Sequence, residues 1–232
     1  MAQRYAIIPA RGGSKRIPRK NLRPFLGVPI LQRTIEKISQ TGLFEEIFVS
    51  TEDAEIREFV ADHGVARLVD RPTELAGDFA TTAEVMRDAI RRIEGIPDKG
   101  SARYLTVYPT SVSVKIENIL KAESLIEPGK VELVFAAARF SSEIQRAWWE
   151  LEDGTVREVL PGFQESRSQD LRPAFFDAGQ FYWSTIRGWE LENMGTYVHR
   201  RLYEISRSEA IDINSEEDWA FAEALHRGHP VA

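Results

Sequence analysis

Short apolar runs alternate with segments of helical period along the first half of the chain, and this alternation limits the fold more than any other feature. Runs of strand length occur at residues 5–8, 47–50, 104–108 and 131–138, and a further strand ends at 68–69. Strands separated by helices predict a mostly parallel sheet with helices on both faces, which is a Rossmann-like, three-layer α/β/α fold. In such a sheet the ligand lies beyond the carboxyl ends of the strands.

The spacing of apolar residues between these runs predicts helices. Gly42 and Gly64 suit the ends of the first two helices. A closing helix starts after Ser215, which can cap it, and the acidic residues that follow favour its first turn. The predicted helical segments are 31–38, 56–60, 85–93, 116–126 and 215–225.

The pattern changes at residue 140. Residues 140–180 mix apolar, charged and proline-containing stretches without a helical period. We interpret them as a small, β-rich excursion of hairpins that projects from the sheet before the chain returns near residues 181–183. Because the sequence has no internal repeat, low-complexity tract or linker, residues 1–232 are interpreted as a single domain.

The charge of the chain is unevenly distributed. The formal net charge of −6 argues against a general nucleic-acid binder. A local basic patch inside an acidic protein favours an anion site, such as one for a nucleoside triphosphate, although a basic surface arm remains an alternative. The first 35 residues contain no acidic residue and eight basic ones, namely Arg4, Arg11, Lys15, Arg16, Arg19, Lys20, Arg23 and Arg33.

Two absences in the sequence limit the compartment and the chemistry. Cysteine does not occur, so disulfides, thiolate metal sites and a cysteine nucleophile are excluded. No apolar run approaches the ~18 residues that a membrane helix needs, and the chain begins with a strand-like segment and no leader. We therefore expect a cytoplasmic protein that has neither a membrane nor a nucleic acid as partner.

The strongest chemical signal is the loop at residues 9–21, directly after the first predicted strand. Its glycines let the backbone approach a ligand closely, and its cations can neutralise phosphates. Asn21 offers both a donor and an acceptor. The loop matches neither GxxxxGK[ST] nor GxGxxG, which disfavours a P-loop or a dinucleotide fingerprint. It predicts an anion site after the first strand, the alternative being a solvated turn.

Four motifs in the same order resemble those of the CMP-sialic acid synthetase family. Each motif is weak alone, but their shared order along nearly the whole chain is specific. The motifs are Ile8-Pro9-Ala10-Arg11-Gly12-Gly13-Ser14-Lys15 with Lys20-Asn21, then Arg71-Pro72 with Glu74-Leu75-Ala76-Gly77-Asp78, then Tyr108-Pro109-Thr110-Ser111, and finally Asp212-Ile213-Asn214.

The resemblance implies a nucleotidyltransferase fold whose first loop holds the triphosphate of CTP. It assigns catalytic roles to Arg11, Lys15 and Lys20, and it implies that Arg71 contacts cytosine. From the residues alone, Arg71 could equally be a surface residue before the turn at Pro72. The implied nucleotide-binding residues are Ala10, Arg11, Gly12, Gly13, Ser14, Lys15, Lys20, Asn21, Arg71, Thr81 and Thr82.

Three stretches look like the branch of this family that acts on pseudaminic acid, namely 144–147, 167–171 and 177–183. Gln180 stands where CMP-sialic acid synthetases have a small apolar side chain, and a pocket that hydrogen-bonds its substrate discriminates better than one that senses bulk. The expected partners of the acidic nine-carbon sugar are Tyr108, Thr110, Gln145, Arg146, Arg167, Gln169, Gln180 and Tyr182.

The resemblance also implies a homodimer in which the excursion, here residues 140–175, lends residues to the partner's sugar site. Trp148 and Trp149 would anchor that interface, unless they pack within their own hairpin. A purely structural role is expected for Trp183, because Phe175, Phe181 and Trp183 alternate as on one buried strand face.

The resemblance assigns a divalent metal, most simply Mg²⁺, to Asp212 and Asn214. A hard cation with oxygen ligands suits a triphosphate. Asn214 replaces the second acid of the family's Asp-x-Asp motif, which weakens the case for a two-metal mechanism because an amide carries no charge. Tyr108 stands where sialic acid synthetases usually have Gln, and no Arg follows Ser111, so both positions disfavour N-acetylneuraminic acid as the sugar.

The implied reaction is attack by the anomeric hydroxyl of the sugar on the α-phosphate of CTP, with release of pyrophosphate. Three alternatives stay open. They are a sister enzyme acting on N-acetylneuraminic, legionaminic or Kdo-type sugars, a glycosyltransferase of similar (GT-A-like) fold, and a nucleotide-binding homologue without catalysis.

Overall fold

A mostly parallel sheet of seven strands forms the centre of the structure, a computed structural model that describes residues 2–228. Met1 and residues 229–232 lie outside the described part. The strands are β1 (Arg4–Pro9), β2 (Pro24–Phe25), β3 (Val28–Pro29), β4 (Glu46–Thr51), β5 (Arg67–Asp70), β6 (Arg103–Val107), β7 (Leu133–Arg139), β8 (Trp148–Glu150), β9 (Val156–Glu158), β10 (Phe175–Ser184) and β11 (Arg200–Glu204). The helices are α1 (Ile30–Ser39), α2 (Ala54–His63), α3 (Thr82–Arg92), α4 (Ile116–Glu123), α5 (Ile186–Asn193) and α6 (Glu216–Arg227).

The strand order of the central sheet is β11-β7-β10-β6-β1-β4-β5. Strands β1, β4, β5 and β6 pair in parallel, as do β7 and β11, whereas β10 runs antiparallel to both of its neighbours. The predicted alternation of strands and helices is confirmed. Helix α5 and strand β11 were not predicted from the sequence.

Helices cover both faces of the sheet, because successive strand residues point to opposite sides. Ile8 of β1 belongs to the core cluster that contains Leu31 of α1 and Val60 of α2. Ile7 belongs to the cluster on the other face, with Met86 of α3. All of these side chains are fully buried, so the predicted three-layer architecture is confirmed.

A third apolar cluster lies beside the sheet and positions two loops. Ile17 of the basic loop packs with Ile211 and Ile213 of the segment that precedes α6, and Phe25 contacts Trp219 of α6 edge-on at 5.6 Å between ring centroids. The cluster therefore joins the loop after β1 to the segment after β11, which are almost two hundred residues apart in sequence.

The excursion is simpler than predicted. Between β7 and β10 it contains one short hairpin, β8 with β9, two single-turn 3-10 helices at Ile144–Arg146 and Ser168–Asp170, and otherwise irregular segments. The chain rejoins the sheet at Phe175, which pairs with Arg139, rather than near residue 181. A change of register between Asp177 and Tyr182 interrupts β10, so the prediction of one regular buried face along this strand was wrong.

The core role predicted for Trp183 is confirmed. Its side chain is fully buried, and its indole nitrogen donates to the carbonyl oxygen of Ile119 at 2.8 Å. Phe175, by contrast, is only half-buried. As for membranes, none of the helices in residues 2–228 is both long and apolar enough to span one.

Gly188 offers a direct test of the packing between α5 and the sheet. A methyl group at this position would lie 2.4 Å from the backbone oxygen of Glu132, which cannot move without disturbing β7. We expect Gly188→Ala to lower the free energy of unfolding by about 2 kcal/mol, measured by urea denaturation. Gly13→Ala is the control, because a methyl group there meets nothing within 4 Å. A neutral Gly188→Ala would contradict this packing.

Candidate active site

A cleft of about 430 Å³ opens at the carboxyl ends of β1, β5 and β6, the edge of the sheet that the topology predicts. The loop after β1, the segment between β5 and α3, the turn after β6, the bulged part of β10 and the segment before α6 all contribute to it. Its lining is formed by Pro9, Arg11, Arg16, Lys20, Asn21, Arg71, Leu75, Gly77, Asp78, Ala80, Thr82, Val85, Tyr108, Pro109, Thr110, Gly179, Tyr182, Asp212 and Asn214.

The basic loop is fixed to the end of β4. The backbone nitrogen of Gly12 donates to Glu52 Oε1 at 2.8 Å, and any Cβ at this position would lie 2.0 Å from Asp53 Oδ2. Arg19 pairs with the same Asp53 through both guanidinium nitrogens, at 2.7 and 2.8 Å. Asn21 closes the loop by donating to the carbonyl oxygen of Arg11 at 2.9 Å. Glycine is therefore required at position 12 because the loop lies so close to β4.

Three cations of this loop line the cleft: Arg11, Arg16 and Lys20. Lys20 donates from Nζ to the carbonyl oxygen of Ile213 at 2.9 Å, and burial lowers the pKa of its ammonium group. Arg11 donates to Asp78 at 2.9 Å, and Lys15 donates to the other oxygen of Asp78 at 2.6 Å. One exposed carboxylate thus bridges two cations at the mouth of the cleft.

Arg71 is almost fully buried at the floor of the cleft. Its Nη2 donates to the backbone oxygen of Ser50 at 2.7 Å, and its Nη1 lies 3.8 Å from Glu52 Oε2. Burial lowers the pKa of this guanidinium. The interpretation of Arg71 as a surface residue was wrong, because the residue is buried and its guanidinium lines the cleft.

Two tyrosines form the opposite wall. The hydroxyls of Tyr108 and Thr82 lie 2.5 Å apart, and burial raises the pKa of Tyr108 to about 12. Tyr182 packs edge-on against Tyr108 and donates its hydroxyl to Asp177 Oδ2 at 2.9 Å. Burial raises the pKa of the Asp177 carboxyl. Both phenols stay protonated at neutral pH, so they act as neutral hydrogen-bonding groups.

The segment before α6 alternates between core and cleft. Ile211 and Ile213 are buried in the third apolar cluster, while Asp212 and Asn214 line the cleft. Gln180 donates from Nε2 to the carbonyl oxygen of Ile211 at 2.9 Å. Because Lys20 binds the carbonyl of Ile213, the backbone on both sides of Asp212 is held in place.

Most of the residues predicted for a nucleotide lie at this site. Arg11, Lys20, Asn21, Arg71 and Thr82 line the cleft, and Thr81 caps α3 through its side chain. The remaining predicted loop residues, Ala10, Gly12, Gly13, Ser14 and Lys15, form the backbone and rim around them. Nine residues of the lining were not predicted as site residues, although most of them lie within or beside the quoted motifs: Pro9, Arg16, Leu75, Gly77, Asp78, Ala80, Val85, Pro109 and Gly179.

The predicted sugar residues divide into three groups. Tyr108, Thr110 and Tyr182 line the cleft. Gln180 is 1% exposed and its amide bonds to backbone oxygens, so in this chain it faces the core. The remaining four belong to the excursion and do not line the cleft: Gln145, which donates to the backbone oxygen of Arg172, Arg146, Arg167, which pairs with Asp170, and Gln169.

A second cavity, of about 450 Å³, adjoins the cleft behind Tyr182. The two share Thr82 and Tyr182 in their linings. Trp189 and Tyr197 give the second cavity apolar surface, while Asp177 and Arg200 give it polar groups. The sequence did not predict this cavity, because one side of it comes from α5, from the turn after α5 and from β11, and neither α5 nor β11 was predicted.

The comparisons with known proteins agree with this geometry. The sequence profile of the family described as "Cytidylyltransferase" matches residues 5–145, which is more than half of the chain. The chain belongs to the cytidylyltransferase family. The resemblance seen in the sequence motifs and the predicted enzyme class are thereby confirmed.

Two relatives of this cytidylyltransferase come from Campylobacter jejuni, and both are named pseudaminic acid cytidylyltransferase. One, from serotype O:2, is 33% identical over 95% of each chain, and the other, from serotype O:23/36, is 35% identical over 95% of each chain. Among solved structures, a CMP:2-keto-3-deoxy-manno-octonic acid synthetase complexed with CTP has a TM-score of 0.72 at 14% identity, with 98% of this chain and 99% of that chain covered. This likeness supports the fold alone.

Asp78 competes with any phosphate for Arg11 and Lys15 of the cytidylyltransferase. We expect Asp78→Asn to tighten the binding of inorganic tripolyphosphate roughly fivefold, because both cations lose their internal counter-ion. Isothermal titration calorimetry at low salt measures this change. Glu74→Gln is the control, since it removes an equal charge from an exposed residue of the same segment. Weaker binding by Asp78→Asn would mean that Asp78 organises these cations rather than competing for them.

Proposed function

We propose that this enzyme transfers CMP from CTP to the anomeric hydroxyl of a nonulosonic acid, namely pseudaminic acid, and releases pyrophosphate. One observation carries the proposal: a single cleft combines the basic loop, the buried Arg71 and the carboxylate of Asp212. The names of the two Campylobacter jejuni relatives support the choice of sugar.

The triphosphate would lie along the basic loop. Arg11 and Lys20 would bind its phosphate oxygens, joined by Lys15 once Asp78 is displaced. The backbone around Gly13 and Ser14 would approach the phosphates closely, because a glycine at this position leaves room for them. These cations stabilise the charge that develops on the departing pyrophosphate.

The cytosine would lie against Arg71. This guanidinium is held from behind by the backbone oxygen of Ser50, so its remaining donors can reach the base carbonyl. Asn21 and the hydroxyl of Thr82 also line the cleft and offer further polar partners. A rigid, buried arginine favours a base that presents an acceptor, because a base with a donor at that position would leave the guanidinium unpaired.

The sugar would lie between Asp212 and the tyrosines, with its substituents extending into the second cavity. Tyr108, Thr110 and Tyr182 supply hydroxyls for a polyhydroxylated acid. Trp189 and Tyr197 offer apolar surface for the methyl groups of acylamino substituents. The predicted contacts of Gln145, Arg146, Arg167 and Gln169 would come from the excursion of a partner subunit, and Gln180 would act by holding the segment of Asp212.

The residues present fit a bound Mg²⁺. Such an ion is typically held by one or two carboxylates together with substrate phosphates. Asp212 supplies one exposed carboxylate at the cleft, and among residues 2–228 no group of three or more His, Cys, Asp and Glu residues forms a metal cage. When bound, the ion would neutralise charge on the triphosphate. Asn214 was predicted as the second ligand.

In the reaction, the oxygen on C2 of the sugar forms a bond to the α-phosphorus of CTP. The bond from that phosphorus to the bridging oxygen of the β-phosphate breaks, pyrophosphate leaves, and the hydroxyl proton passes to solvent. The protein contributes mainly by aligning the two substrates and by placing cations around the phosphates.

The alternatives are separated by an assay of pyrophosphate release, accompanied by a calorimetric titration with CTP and by an incubation with a CMP-sugar in place of CTP. Purified enzyme is incubated with CTP, Mg²⁺ and each of pseudaminic, legionaminic, N-acetylneuraminic and Kdo acids, and pyrophosphate release is measured. Fastest release with pseudaminic acid is the expected result. Preference for another acid identifies a sister enzyme, consumption of a CMP-sugar identifies a glycosyltransferase, and CTP binding without release identifies a non-catalytic homologue.

Arg11 and Lys20 test the location of the triphosphate. We expect Arg11→Ala and Lys20→Ala each to lower kcat/KM for CTP about a hundredfold, because each removes a charge-assisted hydrogen bond to phosphate. Arg91→Ala is the control, because Arg91 pairs with Glu190 on the surface away from the cleft. If both loop variants retain normal kcat/KM, the triphosphate lies elsewhere.

We further propose that the protein acts in the cytoplasm as a homodimer formed through the excursion. Trp148 and Trp149 are 51% and 55% exposed, so the single chain leaves about half of the surface of each tryptophan uncovered. Neighbouring apolar side chains, among them Val156 and Phe163, are also exposed. A cluster of exposed tryptophans and aliphatic residues is typical of a protein interface.

The paired substitution Trp148→Ser/Trp149→Ser tests this interface. We expect the wild-type protein to sediment as a dimer at micromolar concentration and the variant to sediment as a monomer, because the central apolar contacts are lost. Phe221→Ser is the control, since Phe221 is 60% exposed on α6, outside the excursion. A monomeric wild-type protein would rule out the proposed dimer.

A further inference from the structure

A short relay of side chains crosses the cleft beside Asp212. Arg16 of the basic loop donates from Nη2 to Oδ1 of Asn214 at 2.6 Å. The amide nitrogen Nδ2 of Asn214 donates in turn to Oδ2 of Asp212. All three residues line the cleft, so the relay lies where the triphosphate and its cation are proposed to bind.

The chemistry of its neighbours fixes the orientation of Asn214. A guanidinium only donates hydrogen bonds, and an ionised carboxylate only accepts them. The carbonyl oxygen of Asn214 must therefore face Arg16, and its amide hydrogens must face Asp212. The oxygen that could bind a cation is already engaged, and the side of the amide that faces Asp212 carries hydrogens, which repel a cation.

An aspartate at position 214 would behave differently. It would accept from Arg16 equally well, but it would place a second negative charge beside Asp212, and two such carboxylates favour the binding of a cation between them. Asn214 avoids the repulsion between two such carboxylates, and its amide nitrogen donates a hydrogen bond to Asp212. Arg16 and Asn214 are thus matched to each other in this chain.

The charges of the cleft point the same way. Among the described residues, the acidic side chains that line it are Asp78 and Asp212, and Asp78 is held by Arg11 and Lys15. Arg16 is permanently charged, and only the side chain of Asn214 lies between its guanidinium and Asp212. A second divalent ion would therefore meet one carboxylate and a guanidinium, a poor set of ligands for a hard cation.

We propose that Arg16, held by Asn214 beside Asp212, takes the place of a second divalent cation, so that the enzyme binds CTP with one such ion per chain. The inference rests on the proposed function. Arg16 contacts the phosphates directly and supplies there the positive charge that a second ion would otherwise supply. Asn214 orients Arg16 and Asp212 and does not bind the ion.

The ion count is measured with Mn²⁺, whose free form is quantified by electron paramagnetic resonance, in the presence of saturating CTP and no sugar, and the Mn²⁺ bound by the unbound CTP is subtracted with a protein-free titration. We expect one bound ion per chain for the wild-type protein. Arg16→Gln and Asn214→Asp should each keep one ion, because the first adds no carboxylate and the second leaves Arg16 in place. The double variant Arg16→Gln/Asn214→Asp should bind two.

A second measurement follows CTP binding by calorimetry in the presence of EDTA. Arg16→Gln should weaken this metal-free binding about tenfold, the loss expected for one charge-assisted hydrogen bond. Arg23→Gln is the matched control, because Arg23 belongs to the same basic run but pairs with Glu216 and does not line the cleft.

Two results of the ion count would overturn the inference: two ions per wild-type chain, or a folded double variant that still binds one. Metal-free CTP binding that is unaffected by Arg16→Gln would also overturn it. These outcomes differ from a failure of the proposed function, in which the wild-type protein binds no CTP at all, with or without a divalent ion. Thermal unfolding of each variant verifies that it is folded.

Discussion

The whole site depends on how closely the loop after β1 lies against the end of β4. Gly12 approaches Asp53 so closely that no side chain fits between them, and its backbone nitrogen is bound by Glu52. The same Glu52 lies beside Arg71. Two neighbouring acids at one strand end therefore position both the loop that would bind phosphates and the guanidinium that would bind a base. Without these carboxylates, repulsion among the basic side chains of the loop would destabilise its single folded conformation.

The cleft satisfies its own charges in the free protein. Asp78 bridges Arg11 and Lys15, Asn214 joins Arg16 to Asp212, and a backbone oxygen accepts from Lys20. A polyanion that enters the cleft must therefore displace these internal partners from the cations, because, in the part of the chain that the structure describes, no cation of the cleft is left without one. Such exchange lowers affinity but keeps the cations ordered, which favours the alignment of phosphates over tight binding.

Much of the fold was predictable because it follows from local patterns. Apolar periodicity predicts buried strands such as 5–8 and amphipathic helices such as α3. The concentration of basic residues predicts the loop after β1 as an anion site. The place where β10 rejoins the sheet was not predictable, because a bulge between Asp177 and Tyr182 breaks the period of the strand. Gln180 lies inside that bulge, which inserts three extra residues into β10 relative to β7. The alternation along a regular strand therefore could not give the face on which its side chain lies.

The candidate site was predictable where its residues are close in sequence. Arg11, Lys20 and Asn21 belong to one short loop, and all three line the cleft. The cations and polar groups of the cleft have partners in distant segments, so the pairing of Asp78 with Lys15 and of Arg16 with Asn214 appears only in three dimensions.

The two ends of the excursion, where the chain leaves β7 and enters β10, have a separate consequence. The backbone nitrogen of Phe140 donates to the carbonyl oxygen of Ala174 at 3.1 Å, and the rings of Phe140 and Phe176 lie 5.2 Å apart. Since β7 and β10 are neighbouring antiparallel strands, a change in length between these two ends can be absorbed without altering the pairing of the two strands.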